Sequence, residues 1–241
     1  MSYVEGFVLA VPATSKQAYR QLAASMLPLF KEFGATRLVE TWGDDVPDGK
    51  TTDFWGAVKA KPDEVIVFSW LEYPDKATRD AAQAKMMSDP RMKDMGTALP
   101  FDGKRMIFGG FSIIVDQSGA GTNKPGYVDG SLLSVPADNQ AAYRELSSIQ
   151  AAVILEHGAS RVVGAWGDDV PDGKVTDFKR AVAATIDEKV VYSWIEWPSK
   201  QARDAGWQKV FADPRMHPSA AQMTHDEKRR VRGGFSPLLD A

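Results

Sequence analysis

Acids and large rings fall on shared strand faces in this sequence. In the run 64–73, Phe68, Trp70 and Glu72 occupy alternate positions, and in the run 188–197 Tyr192, Trp194 and Glu196 repeat them. Successive strand residues point to opposite faces, so this spacing defines one side of a strand. The same alternation groups Tyr3, Glu5 and Phe7, matched by Tyr127, Asp129 and Ser131. Burial raises a carboxyl pKa toward neutrality, which makes Glu5, Glu72, Asp129 and Glu196 the candidate acid/base groups. Glu40 and Trp42, and Met106 with Phe108, are assigned to the same open face. The small sets Val4, Gly6, Val8, Ala10 and Ile107, Gly109, Phe111, Ile113 are assigned to lie under helices. The expected ligand-binding set is therefore Phe7, Trp42, Phe68, Trp70, Phe108, Trp166, Tyr192 and Trp194. A mostly apolar wall with few polar groups suits a small apolar or aromatic molecule. The same rings also read as a core between two packed sheets.

Two cations complete the set. Arg230 and Arg232 stand where the earlier half of the chain has Met106 and Phe108, and Gly164 stands where it has Glu40. A buried arginine must be paired or bind an anion. Arg230 and Arg232 therefore either hold a carboxylate or phosphate of a ligand, or lie exposed, or pair with Glu5, Asp129 or Glu72. Other chemistries find less support. Asp44, Asp45 and Asp48, with Asp168, Asp169 and Asp172, lack calcium-loop spacing and read as caps of their own turns. The three histidines, His157, His217 and His225, have no metal-ligand spacing, so no metal and no cofactor are expected. His225 beside Asp226 is the one histidine to watch as a base, a surface loop position being the plainer reading. There is no cysteine and no G-x-S-x-G elbow.

The elements that would position these residues occur twice. WGDDVPDGK stands at Trp42–Lys50 and again at Trp166–Lys174, and the same offset aligns both halves without a gap, about half of the positions being identical. Each half reads βαββαβ: strands near 3–11, 35–43, 64–73 and 104–115, a helix from Ser15 to about Phe33, and a second after Asp75. This is the ferredoxin-like arrangement, a four-stranded antiparallel sheet with helices on one face. Its other face must be buried, and a second copy on a tether supplies the cover. The fold expected is α+β, with repeats at 1–115 and 127–241 and a Gly-rich flexible linker at 116–126.

The charge of −3 and pI near 5.7 give no reason to expect nucleic-acid or membrane partners. No apolar run approaches the roughly 20 residues of a membrane span, and the start lacks a signal-peptide pattern, so a cytoplasmic location is expected. Expected partners are a small-molecule ligand and the chain's own second half, with further homo-oligomerisation through sheet edges left open.

YVEGFVLAVP, GATRLVETWGDDVPDGK, TDF, EVIVFSWLEYP, RDA, DPRM and PFDGKRMIFGGF together resemble the YbaA-like family. This is a bacterial family of unknown function in the dimeric α+β barrel superfamily. The resemblance covers the first half almost entirely and the second through DPRM, after which PFDGKRM becomes THDEKRR. It implies a barrel that single-copy members build by dimerising, here fused into one chain. The superfamily includes cofactor-independent monooxygenases, muconolactone-type isomerases, haem peroxidases and stress-response proteins. Function lives in the site and not in the fold, so the resemblance names no reaction.

Overall fold

A computed structural model describes residues 2–91, 99–119, 124–219 and 222–241. The first repeat runs β1 Tyr3–Pro12, α1 Lys16–Glu32, β2 Arg37–Asp45, α2 Phe54–Ala57, β3 Glu64–Tyr73, α3 Lys76–Ser88 and β4 Ile107–Ser118. The second runs β5 Tyr127–Pro136, α4 Gln140–Glu156, β6 Arg161–Asp169, α5 Phe178–Ala181, β7 Glu188–Trp197, α6 Lys200–Ala212 and β8 Val231–Asp240. Local chemistry sets the ends. Asp75 and Ser199 cap α3 and α6 by accepting from Thr78 and Ala202 N–H. Gly34 and Gly158 close α1 and α4 at φ +105°, a conformation that favours glycine.

The eight strands form one closed barrel in the order β1-β3-β2-β8-β5-β7-β6-β4. Each repeat contributes a ferredoxin-like sheet, and the two are joined edge to edge where β2 meets β8 and β4 meets β6. Closure leaves these strands no free edge, so self-association through sheet edges has no place to start. The expected linker is shorter than its composition suggests, because β4 takes Asp116–Ser118 into pairs with β6. Among the described residues no helix is long and apolar enough to cross a membrane.

Register decides which face each strand residue occupies, since directly paired residues share a face. β1 pairs Val4 with Glu72, Gly6 with Trp70 and Val8 with Phe68, and it pairs Gly6 with Gly109 and Val4 with Phe111 on β4. The small residues of β1 and the Ile107–Ile113 set of β4 thus line the lumen beside Phe68 and Trp70. The expectation that they lie under helices is corrected. The reason is room: an eight-stranded barrel is just wide enough for side chains to fill. A Cβ on Gly6 would stand 2.7 Å from the Tyr192 ring, and one on Gly130 would stand 2.9 Å from the Phe68 ring. Glycine on one repeat accepts a ring from the other.

The lumen is packed from end to end. Phe54 and Phe178, carried by the short helices α2 and α5, plug one mouth and touch Phe68 and Tyr192. Phe68 and Tyr192 stack at 4.4 Å, with Phe235 and Phe111 beside them. Trp70 and Trp194 follow at 4.5 Å. All eight rings are 0% exposed, so no water-sized sphere reaches them from outside or from an internal void.

Candidate functional site

The far mouth of the barrel is shut by charge. Arg37 donates to Glu196 at 2.8 and 3.1 Å and to Asp240 at 2.9 and 3.0 Å. Arg161 makes the matching fork to Glu72 at 2.8 and 3.0 Å and to Asp116 at 2.9 Å. Each tryptophan below donates its indole N–H upward, Trp70 to Glu72 and Trp194 to Glu196. Burial pushes the Glu72 carboxyl up, but Arg161, Trp70 and Arg37 outweigh it and hold Glu72 below the usual carboxylate range. A carboxylate forked by two arginines is a lock and not a poised base. Phe68, Trp70, Glu72, Tyr192, Trp194 and Glu196 therefore do share the lumen as expected, but as core and latch around no open space.

The remaining expected residues lie outside the barrel. Glu5 accepts from Arg79 at 3.0 and 3.2 Å under α3, and Asp129 accepts from Arg203, Trp197 and Trp207 under α6. Phe7, Trp42 and Trp166 pack beneath α1 or α4, and Phe108 and Arg232 are exposed. Arg230 sits on the same outer side as Met106. Expecting these eight residues in the lumen fails because the facing of β1, β2 and β4, and of β5, β6 and β8, is the reverse of that assumed. Nor do the paired aspartates cap their own turns. Asp44 accepts from Tyr127 and Lys200, Asp45 from Arg203 and Asp169 from Arg79, so the repeated motif clasps one repeat to the other.

What the reversal brings together is a layer between helix and sheet. On the outer face of the first repeat, Glu40 pairs with Ser69, Ser69 with Phe7 and Phe7 with Phe108. α1 lays Tyr19 across this row, and its hydroxyl donates to Glu40 Oε2 at 2.6 Å. Leu9, Val11, Trp42 and Val67 surround the pair, with Phe7, Val65, Phe101, Met106 and Leu238 partly buried at the rim. The Glu40 side is 8% exposed. Glu5, Glu64, Asp177 and Glu196 are also buried, and each has a guanidinium partner. Glu40 has none among the described residues. Burial lifts its carboxyl to about 7, with Tyr19 and Ser69 hydrogen bonds pulling the other way. The sequence sets Glu40 against Gly164 but assigns it to the lumen face, and Tyr19 falls unmarked within the helix expected from Ser15 to about Phe33. The available signal was the set of differences Glu40/Gly164, Phe7/Ser131, Phe101/His225 and Met106/Arg230, which converge on one layer.

The fold and its duplication are those of a dimeric α+β barrel with both halves in one chain. Residues 2–103 and 126–227 each match the family described as "Protein of unknown function (DUF1428)", and the chain belongs to that family. The "Uncharacterized protein YbaA" of Escherichia coli K12 is 66% identical over 117 residues, all of that protein and 48% of this chain, and that of Shigella flexneri matches to the same extent. Among solved structures, a monooxygenase-like protein of Fusobacterium nucleatum covers 99% of this chain and 93% of its own at TM-score 0.61 and 10% identity. One from Lactobacillus acidophilus covers 100% and 95% at TM-score 0.55 and 9% identity. An anthrone oxidase-like protein covers 100% and 92% at TM-score 0.51 and 10% identity. At such identities the likeness is one of fold alone.

Proposed function

We propose that this chain binds a small apolar or aromatic molecule between α1 and the sheet of the first repeat, and that Glu40 exchanges a proton with it. The lumen is set aside as the ligand's place, since its rings are all 0% exposed, whereas the Glu40 layer reaches the surface at the partly buried rim of Phe7, Val65, Phe101 and Met106. The observation that carries the reading is a buried carboxyl with no ion-pair partner among the described residues, hydrogen-bonded to a tyrosine inside an apolar shell. An acid/base group works best with a pKa near the operating pH, and the rise of Glu40 to about 7 places it there. Tyr19 orients the carboxyl and passes its hydroxyl proton into the same hydrogen bond. Proton relocation of the isomerase kind needs one such group. The monooxygenase-like names of the fold neighbours make oxygenation of an aromatic ligand the alternative chemistry at the same place.

Native mass spectrometry of the untagged protein is the first test. Extra mass that disappears on denaturation would identify a co-purifying ligand. Titration with 2-naphthol, followed by tryptophan fluorescence, then places it. Saturable binding lost in Met106→Arg and weakened several-fold in Glu40→Gln supports this site. Absence of both bound mass and saturable binding, or binding indifferent to both substitutions, contradicts it.

A further inference from the structure

The two helix–sheet layers share a floor and differ at the rim. Leu9, Val11, Tyr19, Trp42 and Val67 of the first recur as Leu133, Val135, Tyr143, Trp166 and Val191 of the second. Four of the partly buried apolar rim residues, Phe7, Val65, Phe101 and Met106, are replaced by Ser131, Lys189, His225 and Arg230. Gly164 replaces Glu40, and a Cβ there would touch only Val115, at 3.6 Å. A phenyl ring and an acid side chain are thus missing from the second layer, and cationic and hydroxyl groups edge the space.

Those groups converge. Arg230 donates through Nε and Nη2 to Glu227 at 2.7 Å each, and His225 Nε2 lies 2.7 Å from the same carboxylate. The Thr224 hydroxyl lies 3.1 Å from His225 Nδ1, and Arg230 Nη2 lies 2.9 Å from His225 Nε2. His225 lies in the loop just before Asp226, but not at the surface as expected, its side chain being 3% exposed. Arg230 is 22% exposed and Glu227 50%. Arg230 and His225 hold the Glu227 carboxyl well below its usual range against the effect of burial.

This cluster is surplus to the local fold. In the first repeat the turn Gly103–Arg105 is held by Arg105 on Glu64 and by Asp102 accepting from Lys104 N–H. In the second, Arg229 on Glu188 and Asp226 on Lys228 N–H do the same. Arg230, His225 and Glu227 add nothing the turn needs, and their counterparts Met106, Phe101 and Gly103 have no such chemistry.

We infer that the second layer is a separate site for a small aromatic carboxylate, whose carboxylate takes the place that Glu227 holds beside Arg230 and His225. A planar fork suits a carboxylate, and the retained Tyr143 and Trp166 supply a wall for a ring. The Ser131 and Ser193 hydroxyls, 2.8 Å apart, stand where the first repeat has Phe7 and Ser69, and Arg230 Nη1 lies 3.5 Å from Ser131 Oγ. Glu227 is an internal competitor that can swing into solvent. The site stands independently of Glu40.

The test is calorimetric titration of the full chain with benzoate, with benzamide as the uncharged control. Benzoate should bind, Glu227→Gly should tighten it several-fold, and Arg230→Met should weaken it by about tenfold or more. Glu40→Gln should leave it unchanged. Methionine and glycine are the first repeat's own residues at these positions, and thermal melts confirm folding; if R230M melts early, E227G alone decides. No benzoate binding in either wild type or E227G overturns the inference. So does equal binding of benzamide, or undiminished binding in a folded R230M.

Discussion

Glu40 is unusual because it accepts from a hydroxyl and has no ion-pair partner among the described residues. Its pH consequence has a definite sign. A carboxyl raised from 4.5 to about 7 in the folded state binds its proton more tightly there than in the unfolded chain. Its contribution to stability is therefore full below pH 4.5, is lost as pH rises through 7, and amounts to roughly 3 kcal/mol. Denaturant titration at pH 5 and pH 8 should show this loss in the wild type and a markedly flatter profile in Glu40→Gln. Equal slopes in both proteins would show that Glu40 ionises freely. At the lumen, Trp70→Ala and Trp194→Ala should each destabilise by about 3–5 kcal/mol, as removal of a buried ring does. Losses below about 1 kcal/mol would be those of surface sites. Phe68, Trp70 and Tyr192 were legible in the sequence because alternation on one long strand fixes which of its residues travel together. Tyr19 and Glu40 were not, because a helix–strand contact 21 positions apart leaves no periodic trace.

At the scale of the strand, composition told size and not side. β1 carries Val4, Gly6 and Val8, and small residues suit either a helix above or a crowded lumen below. Only the register against Glu72, Trp70 and Phe68 decides. The decisive glycines give a paired prediction. Gly130→Ala places a methyl 2.9 Å from the Phe68 ring and should destabilise by about 1–3 kcal/mol. Gly164→Ala meets only Val115 at 3.6 Å and should leave stability unchanged or raise it by up to about 1 kcal/mol. Urea unfolding of both variants separates the two, and equal effects would mean that Gly130 does not face a ring. The short helices α2 and α5 read ambiguously in the sequence, since four residues carry no period; their Phe54 and Phe178 prove to be the barrel's plugs.

The duplication made the whole molecule legible from one offset, including βαββαβ in each half and their pairing. What the offset did not reveal is why WGDDVPDGK and the pairs Arg79-Asp80 and Arg203-Asp204 occur in both copies. Asp44, Asp45 and Asp169 reach Lys200, Arg203 and Arg79 across the repeat boundary, so each copy of the motif holds the other copy. Arg37 and Arg161 do likewise at the barrel mouth. Arg37→Met leaves Glu196 without its forked partner and should destabilise by about 3–5 kcal/mol in thermal or urea unfolding, against a loss under 1 kcal/mol if the latch is ornamental. Placing the acid/base group in the helix–sheet layer and not in the lumen is tested most directly by carbon-13 NMR titration of the glutamate carboxyls. Glu40 should titrate near 7 while Glu72 titrates below the usual carboxylate range. A Glu40 titrating near 4.5, with Glu72 near neutrality, would return the chemistry to the barrel lumen and contradict the site proposed here.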